Sequence, residues 1–272
     1  MRCSIVASLL CVIFSSTISA EPMAQIPPDG EIATIIRKEL KAGSDLAPVI
    51  GVLEGQLALQ MIGMTTREVS KNDKLKKLFK NLTEKQNKQG EHYLNATILT
   101  ADAYGLYPKV NSAQNNVTRE FRERPMSWRF LVRPRQLSVA VDRNGRIKQA
   151  IYEKQPYAGM APDGVVTLYP EAFSQLSVLA TTIYHERVHF LQDSTRGWGD
   201  VLSDQEKQIQ AYEGELRLAE VFKTSKAQLS EIRRNIFDQR ASMYGSLGRN
   251  PRRINEHLLD ESYPRFGTKE SY

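Results

Sequence analysis

From Glu31 to about Leu106 the apolar positions recur at helical spacing. Ile32, Ile36 and Leu40 stand four apart, and Leu53, Leu57 and Met61 repeat the interval. That is the period of one apolar helix face. Between Ser70 and about Lys88, Leu75, Leu78, Phe79 and Leu82 share one stripe. Lys71, Lys74, Lys76, Lys77 and Lys80 are then the solvated face of an amphipathic helix. A further helix is predicted from Gln89 to Tyr104, stopped by Gly105 and Pro108. His92 falls on it and reads as a satisfied or surface histidine. Residues 111–125 are polar and turn-rich and read as a linker.

The period then changes from helix to strand. Trp128–Val132, Leu137–Val141 and Ile147–Tyr152 are candidate strands. Asn144-Gly145 between the last two is a strong short-range hairpin signal. Gly164–Tyr169 is another strand, ended by Pro170. Helical spacing returns from near Glu171 to Leu191, from about Ser203 to Phe222, and from Ser225 to about Tyr244. Ser203-Asp204-Gln205-Glu206 has the capping-box pattern. The expected class is α+β and mainly helical. The expected organisation is a helical region over 31–125 and a core over 126–272, after a flexible lead-in over 21–30.

Residues 1–20 read as a secretory signal peptide: Arg2, a mostly apolar run from Ile5 to Phe14, and Ala20 at the cut. The run is short for a membrane span, and no later stretch is long enough. The expected location is therefore secreted or periplasmic. Both cysteines, Cys3 and Cys11, lie in this segment. The exported chain then has no disulfide and no thiolate metal ligand. The net charge of +6 is a mild basic bias without one long block. It predicts a solvated basic surface, and the export signal argues against a nucleic-acid module. Arg119, Arg122, Arg124, Arg129, Arg133 and Arg135 cluster before the hairpin and read as surface rather than as an anion site.

His185-Glu186-Arg187-Val188-His189 carries the candidate chemistry. Residues four apart share a helix face, so two imidazoles can aim at one metal ion, and Glu186 can reach a water there. Projected as a helix, Leu176, Leu179, Ala180, Ile183 and Phe190 form an apolar sector. The His pair lies on another side, near Val178 and Thr182. A catalytic zinc usually takes three protein ligands. The H-E-x-x-H-x-x-G-x-x-H pattern fails at Gln192 and Thr195. A downstream acid is the other solution. Glu213 stands beside Ile209 and Leu216 on the expected inward stripe of the next helix, where a carboxylate needs a metal or an arginine. Glu206 is the second choice, and Glu215 is expected to point away.

This motif, followed by a loop and Ala211-Tyr212-Glu213-Gly214 on a second helix, resembles the zincin metallopeptidases, in the branch with a glutamate third ligand. The resemblance covers roughly residues 164–220. It implies a small twisted, largely antiparallel sheet beside the H-E-x-x-H helix; Val165–Leu168 is the candidate edge that pairs with substrate, with an ordinary interior strand as the alternative. It also implies Zn2+ held by His185, His189 and Glu213, with Glu186 as general base. Tyr212, Tyr244 and His257 are candidates to steady the oxyanion. The expected partner is a peptide, protein or cell-wall peptide substrate. The alternatives are a metal-binding protein without peptidase activity, and a secreted helical interaction protein in which the motif is accidental.

Overall fold

Two long helices make the N-terminal part of the molecule. In the computed structural model, which describes residues 30–108, 128–161, 164–194 and 203–246, α1 spans Glu31–Met61, α2 spans Thr66–Lys71 and α3 spans Asp73–Tyr104. Gln86 reaches Glu54, Gln89 reaches Gly43 and His92 reaches Glu39, so α1 and α3 run antiparallel. His92 is a paired histidine, 2.8 Å from Glu39. The break expected between Lys88 and Gln89 is absent, because α3 is one continuous helix. Gly90 alone costs a helix only about 1 kcal/mol, and buried Gln89 holds the helix to α1 through the Gly43 carbonyl at 3.0 Å. Tyr93 lies so close to Gly43 that a Cβ there would sit 2.3 Å from its ring. The Tyr93 ring also stacks on Phe173, with centroids 4.0 Å apart.

Gly105 ends α3 in the left-handed region, φ 64°, with its N–H on the carbonyls of Ala101 and Asp102. A side chain there is strained. Gly105→Ala is expected to cost roughly 1–2 kcal/mol, read as a lower midpoint in urea with an unchanged slope. An unchanged midpoint would refute the strain argument.

The strands are β1 (Arg129–Val132), β2 (Leu137–Val141), β3 (Ile147–Tyr152), β4 (Ala158–Met160) and β5 (Val165–Leu168). The hairpin β2–β3 forms as its Asn-Gly turn predicts, with Gly145 at φ 72°. It is a separate two-stranded sheet and packs elsewhere than beside the H-E-x-x-H helix. Its Ile147 and Ala150 join Ile50, Leu53, Leu57 and Leu75 in one apolar cluster on the long helices. The other sheet has the order β1-β5-β4. It is mixed rather than largely antiparallel: β1 pairs parallel with β5, and β4 pairs antiparallel. β5 is therefore the interior strand, which corrects its expected place at the edge. A buried parallel strand needs apolar residues on both faces, which is why Val165–Leu168 reads so strongly in sequence. The edge is β4, whose Ala-Gly-Met carries no legible alternation.

A short 3₁₀ turn at Pro170–Phe173 leads into α4 (Leu176–Ser194), followed by α5 (Asp204–Arg217) and α6 (Lys226–Ser246). α4 is wrapped by the rest of the fold. Leu179, Ala180, Ile183, Tyr184 and Val188 share a core with Ala33, Ile36 and Tyr93 of the long helices and with Val166 and Leu168 of β5. One apolar core thus runs across the 125/126 boundary. The architecture is α+β and mainly helical, with sheets of three and two strands. Among the described residues no helix is long and apolar enough to cross a membrane. The signal segment 1–20, most of the lead-in, the whole linker with Arg119, Arg122 and Arg124, and the chain after Ser246 lie outside the described residues.

Candidate functional site

α4 carries His185 and His189 on one face, as the four-residue spacing requires. Their Nε2 atoms stand 3.0 Å apart. Each ring is held from behind. His185 Nδ1 donates to Glu215 Oε1 at 2.6 Å. His189 Nδ1 donates to Gln192 Oε1 at 2.9 Å. Gln192 is 1 % exposed. Its NH2 donates to the Lys207 carbonyl at 3.2 Å and to Gln210 Oε1 at 3.0 Å. Those two bonds fix which end of the carboxamide faces His189. With both Nδ1 atoms donating, both Nε2 atoms turn lone pairs towards one point, the arrangement a metal selects with oriented imidazoles.

The third ligand is where the geometry departs from the sequence reading. Glu213 does not join the His pair. Its carboxylate accepts from Arg240 Nη2 at 2.8 Å, and it is not part of the cleft lining. Glu206 serves in the capping box, where its Oε2 accepts from the Ser203 N–H at 2.7 Å and the Ser203 hydroxyl at 2.8 Å. Glu215, expected to point away, is buried against His185. The inward face of α5 is Ala211, Gly214 and Glu215 rather than Ile209, Tyr212 and Leu216. That shift by about one residue, roughly 100° of helix, exchanges the roles of the two glutamates. Close contact drives it: a Cβ at position 214 would lie 2.8 Å from Tyr184 Cε1, so only glycine lets α5 approach α4 there. Among the described residues no third His, Cys, Asp or Glu completes a metal-binding group with the pair. Gln208 does face it, with Oε1 3.1 Å from His185 Nε2.

The pair opens onto a cleft of about 920 Å³. α4 supplies its floor through Val178, Thr181, Thr182 and Glu186, which matches the expected Val178 and Thr182 side. One wall is the β4 segment with Tyr157 and Gly159, and the other is α6 with Gln228, Glu231 and Asn235. α6 is tied to α4 by Gln228 Nε2 donating to Thr181 Oγ1 at 2.7 Å. Tyr157 OH reaches Glu231 at 3.4 Å across the cleft.

Burial is the main electrostatic force on these groups. It raises the Glu186 carboxyl above its ordinary range; the charge of His185 opposes this and that of Glu215 adds to it. Burial, and then the charge of His185, lowers the His189 imidazole, which keeps it neutral. Burial alone would also lower His185. The hydrogen bond and charge of Glu215, with the charge of Glu186 and a bond from Gln208, outweigh burial and raise it. The Tyr212 ring lies 4.6 Å from His185. Burial, followed by the Glu215 charge, pushes its hydroxyl up to about 12, so it stays an O–H donor. Tyr212 is thus the oxyanion candidate placed in the cleft. The Tyr244 side chain and His257 fall outside the described residues.

Gln192, Gln208 and Glu215 are the site residues that the sequence reading missed. A signal existed for two of them: Gln208, Tyr212 and Glu215 stand at i, i+4 and i+7, one helix face. Gln192 was legible only as the residue that breaks the longer histidine motif. Comparison with protein-family models, with curated proteins and with solved structures finds no match for this chain.

Proposed function

We propose that the chain is a zinc-dependent peptidase whose metal is held by His185 and His189, with Glu186 as general base. The observation that carries this reading is the convergence of two imidazole lone pairs, 3.0 Å apart, at the floor of an open cleft. Lone pairs that face each other repel unless a proton or a cation lies between them. Three features favour a cation. Both rings are oriented from behind, His189 is kept neutral, and an acid stands one residue from the first imidazole. Metal ligation requires neutral imidazoles, so zinc bound here would displace the proton that Glu215 and Glu186 favour on His185.

Zinc bound there would polarise a scissile carbonyl and acidify an attacking water. The chain's own groups do the rest. Glu186, whose carboxyl is raised by burial, would take a proton from the water and return it to the leaving nitrogen. Tyr212 donates its hydroxyl towards developing negative charge. β4 is bonded to a neighbour on one edge only among the described strands. Its backbone beside the cleft suits an extended peptide that adds as a further strand. That favours a peptide or cell-wall peptide over a compact small molecule. An exported location, secreted or periplasmic, belongs to the same proposal and rests on residues 1–20.

The test is metal content followed by metal removal. Purified full-length chain should carry one zinc per molecule. A chelator should abolish hydrolysis of an unstructured protein substrate, and added zinc should restore it. Chain with no stoichiometric metal, or hydrolysis indifferent to the chelator, would sink the proposal. The accidental-motif alternative predicts the first of these failures, and a metal-binding protein without peptidase activity predicts zinc without hydrolysis.

A further inference from the structure

We infer that the third protein donor to this metal is the neutral carboxamide of Gln208, with the missing negative charge supplied one layer out by Glu215 through His185. The inference rests on the metal-binding reading above.

The geometry is specific. Gln208 Oε1 lies 3.1 Å from His185 Nε2. Its oxygen thus joins two imidazole nitrogens 3.0 Å apart. With each Nδ1 donating to Glu215 or Gln192, all three are acceptors turned to one region once His185 is neutral. Such a set is satisfied by a cation. Among the described residues no acid stands in front of the pair: Glu213 lies on Arg240, Glu206 on Ser203, Asp193 on Lys207, Glu231 on Tyr157, and Glu215 behind His185. Position 208 is therefore where the third ligand stands, and it carries an amide.

The chemical consequence follows from charge. Two imidazoles and an amide leave a divalent cation with its full +2, where a carboxylate ligand would leave +1. The ion is then held less tightly, and a water on it is more acidic. Glu215 offsets part of this. Its 2.6 Å bond to His185 Nδ1 makes that imidazole a more basic ligand. Charge is thereby moved from the first ring of ligands to a buried carboxylate outside it. A carboxamide has a second use. Rotated, it offers NH2 to an imidazole lone pair, so the metal-free protein leaves the pair partnered.

The test uses the full chain, stripped with chelator and titrated with zinc, with bound metal read by mass spectrometry and Co2+ read by visible absorption. Gln208→Leu should weaken zinc binding roughly 10–100-fold or more, since a direct donor costs at least what an outer partner does. Gln208→Glu should tighten it about tenfold or more through the added charge. Its melting midpoint should also rise more on adding zinc than that of the wild type does. Both substitutes are good helix formers on a half-exposed position, so both variants fold. Glu213→Ala should bind zinc as wild type does. Wild-type affinity in Gln208→Leu, or metal loss in Glu213→Ala, would overturn the assignment of Gln208 and leave the metal site standing. No zinc on the wild-type chain would overturn the metal reading itself, and this inference with it.

Discussion

Glu186→Gln should lower kcat/KM for peptide hydrolysis by about 10²–10⁴-fold, the usual contribution of a positioned general base, while zinc remains bound. The reasoning is geometric before it is electrostatic. Glu186 lines the cleft floor, is 7 % exposed, and follows the first metal-aimed histidine directly. Glutamine keeps its size and can still hydrogen-bond, so the cleft keeps its shape. It cannot take a proton from water. The loss should therefore fall on kcat rather than on KM. Zinc content distinguishes this from collapse of the site, because Glu186 is not one of the groups aimed between the imidazoles. Unchanged hydrolysis in a zinc-loaded variant would remove Glu186 from the chemistry. Loss of zinc together with activity would show that its role is to hold the site.

Gly214→Ala should damage stability and site together. The added Cβ would lie 2.8 Å from Tyr184 Cε1 and 2.9 Å from its hydroxyl. Tyr184 has little room to yield. It is 9 % exposed, packed against Phe222 at 5.9 Å and hydrogen-bonded to Arg217. α5 must retreat, at a cost of roughly 1–3 kcal/mol for overpacking. The clash lies beside the histidine pair on both helices: Tyr184 precedes His185, and Gly214 precedes Glu215. A retreat therefore stretches the 2.6 Å bond between His185 and Glu215. Losing that orienting partner should weaken zinc binding by about 10–100-fold. The readouts are a melting curve of the metal-free chain and a zinc titration. A variant that melts and binds like wild type would show that α5 is not held to α4 by this contact.

Much of the fold was legible because its signals are local. The hairpin follows from Asn144-Gly145, which needs only neighbours to turn the chain. The first turn of α5 follows from Ser203 and Glu206, whose side chains close on backbone three residues away. The helix under His185 and His189 follows from periodicity. β4 was missed because three residues carry no period, and its existence depends on β5 lying beside it. The strand expected at the substrate edge became the interior one for a related reason: sequence shows that a strand is apolar, and the neighbours decide how many of its edges are covered.

For the candidate site, the sequence by itself determined the two imidazoles and the adjacent acid, since a four-residue interval on a helix is enough to superpose them. It also narrowed the candidates for a further ligand to one helix. Only the tertiary structure decided which face of that helix turns inward. Glu213 and Glu215 are two residues apart and chemically alike, so nothing local separates them. What separates them is Gly214. It allows α5 to approach Tyr184 closely, and that approach sets the rotation of the helix. The rotation sends Glu213 to Arg240, Glu215 to the back of His185 and Gln208 to its front. Side-chain chemistry is a property of residues, whereas convergence on a point depends on how two helices pack, and packing is resolved by contacts between residues distant in the chain.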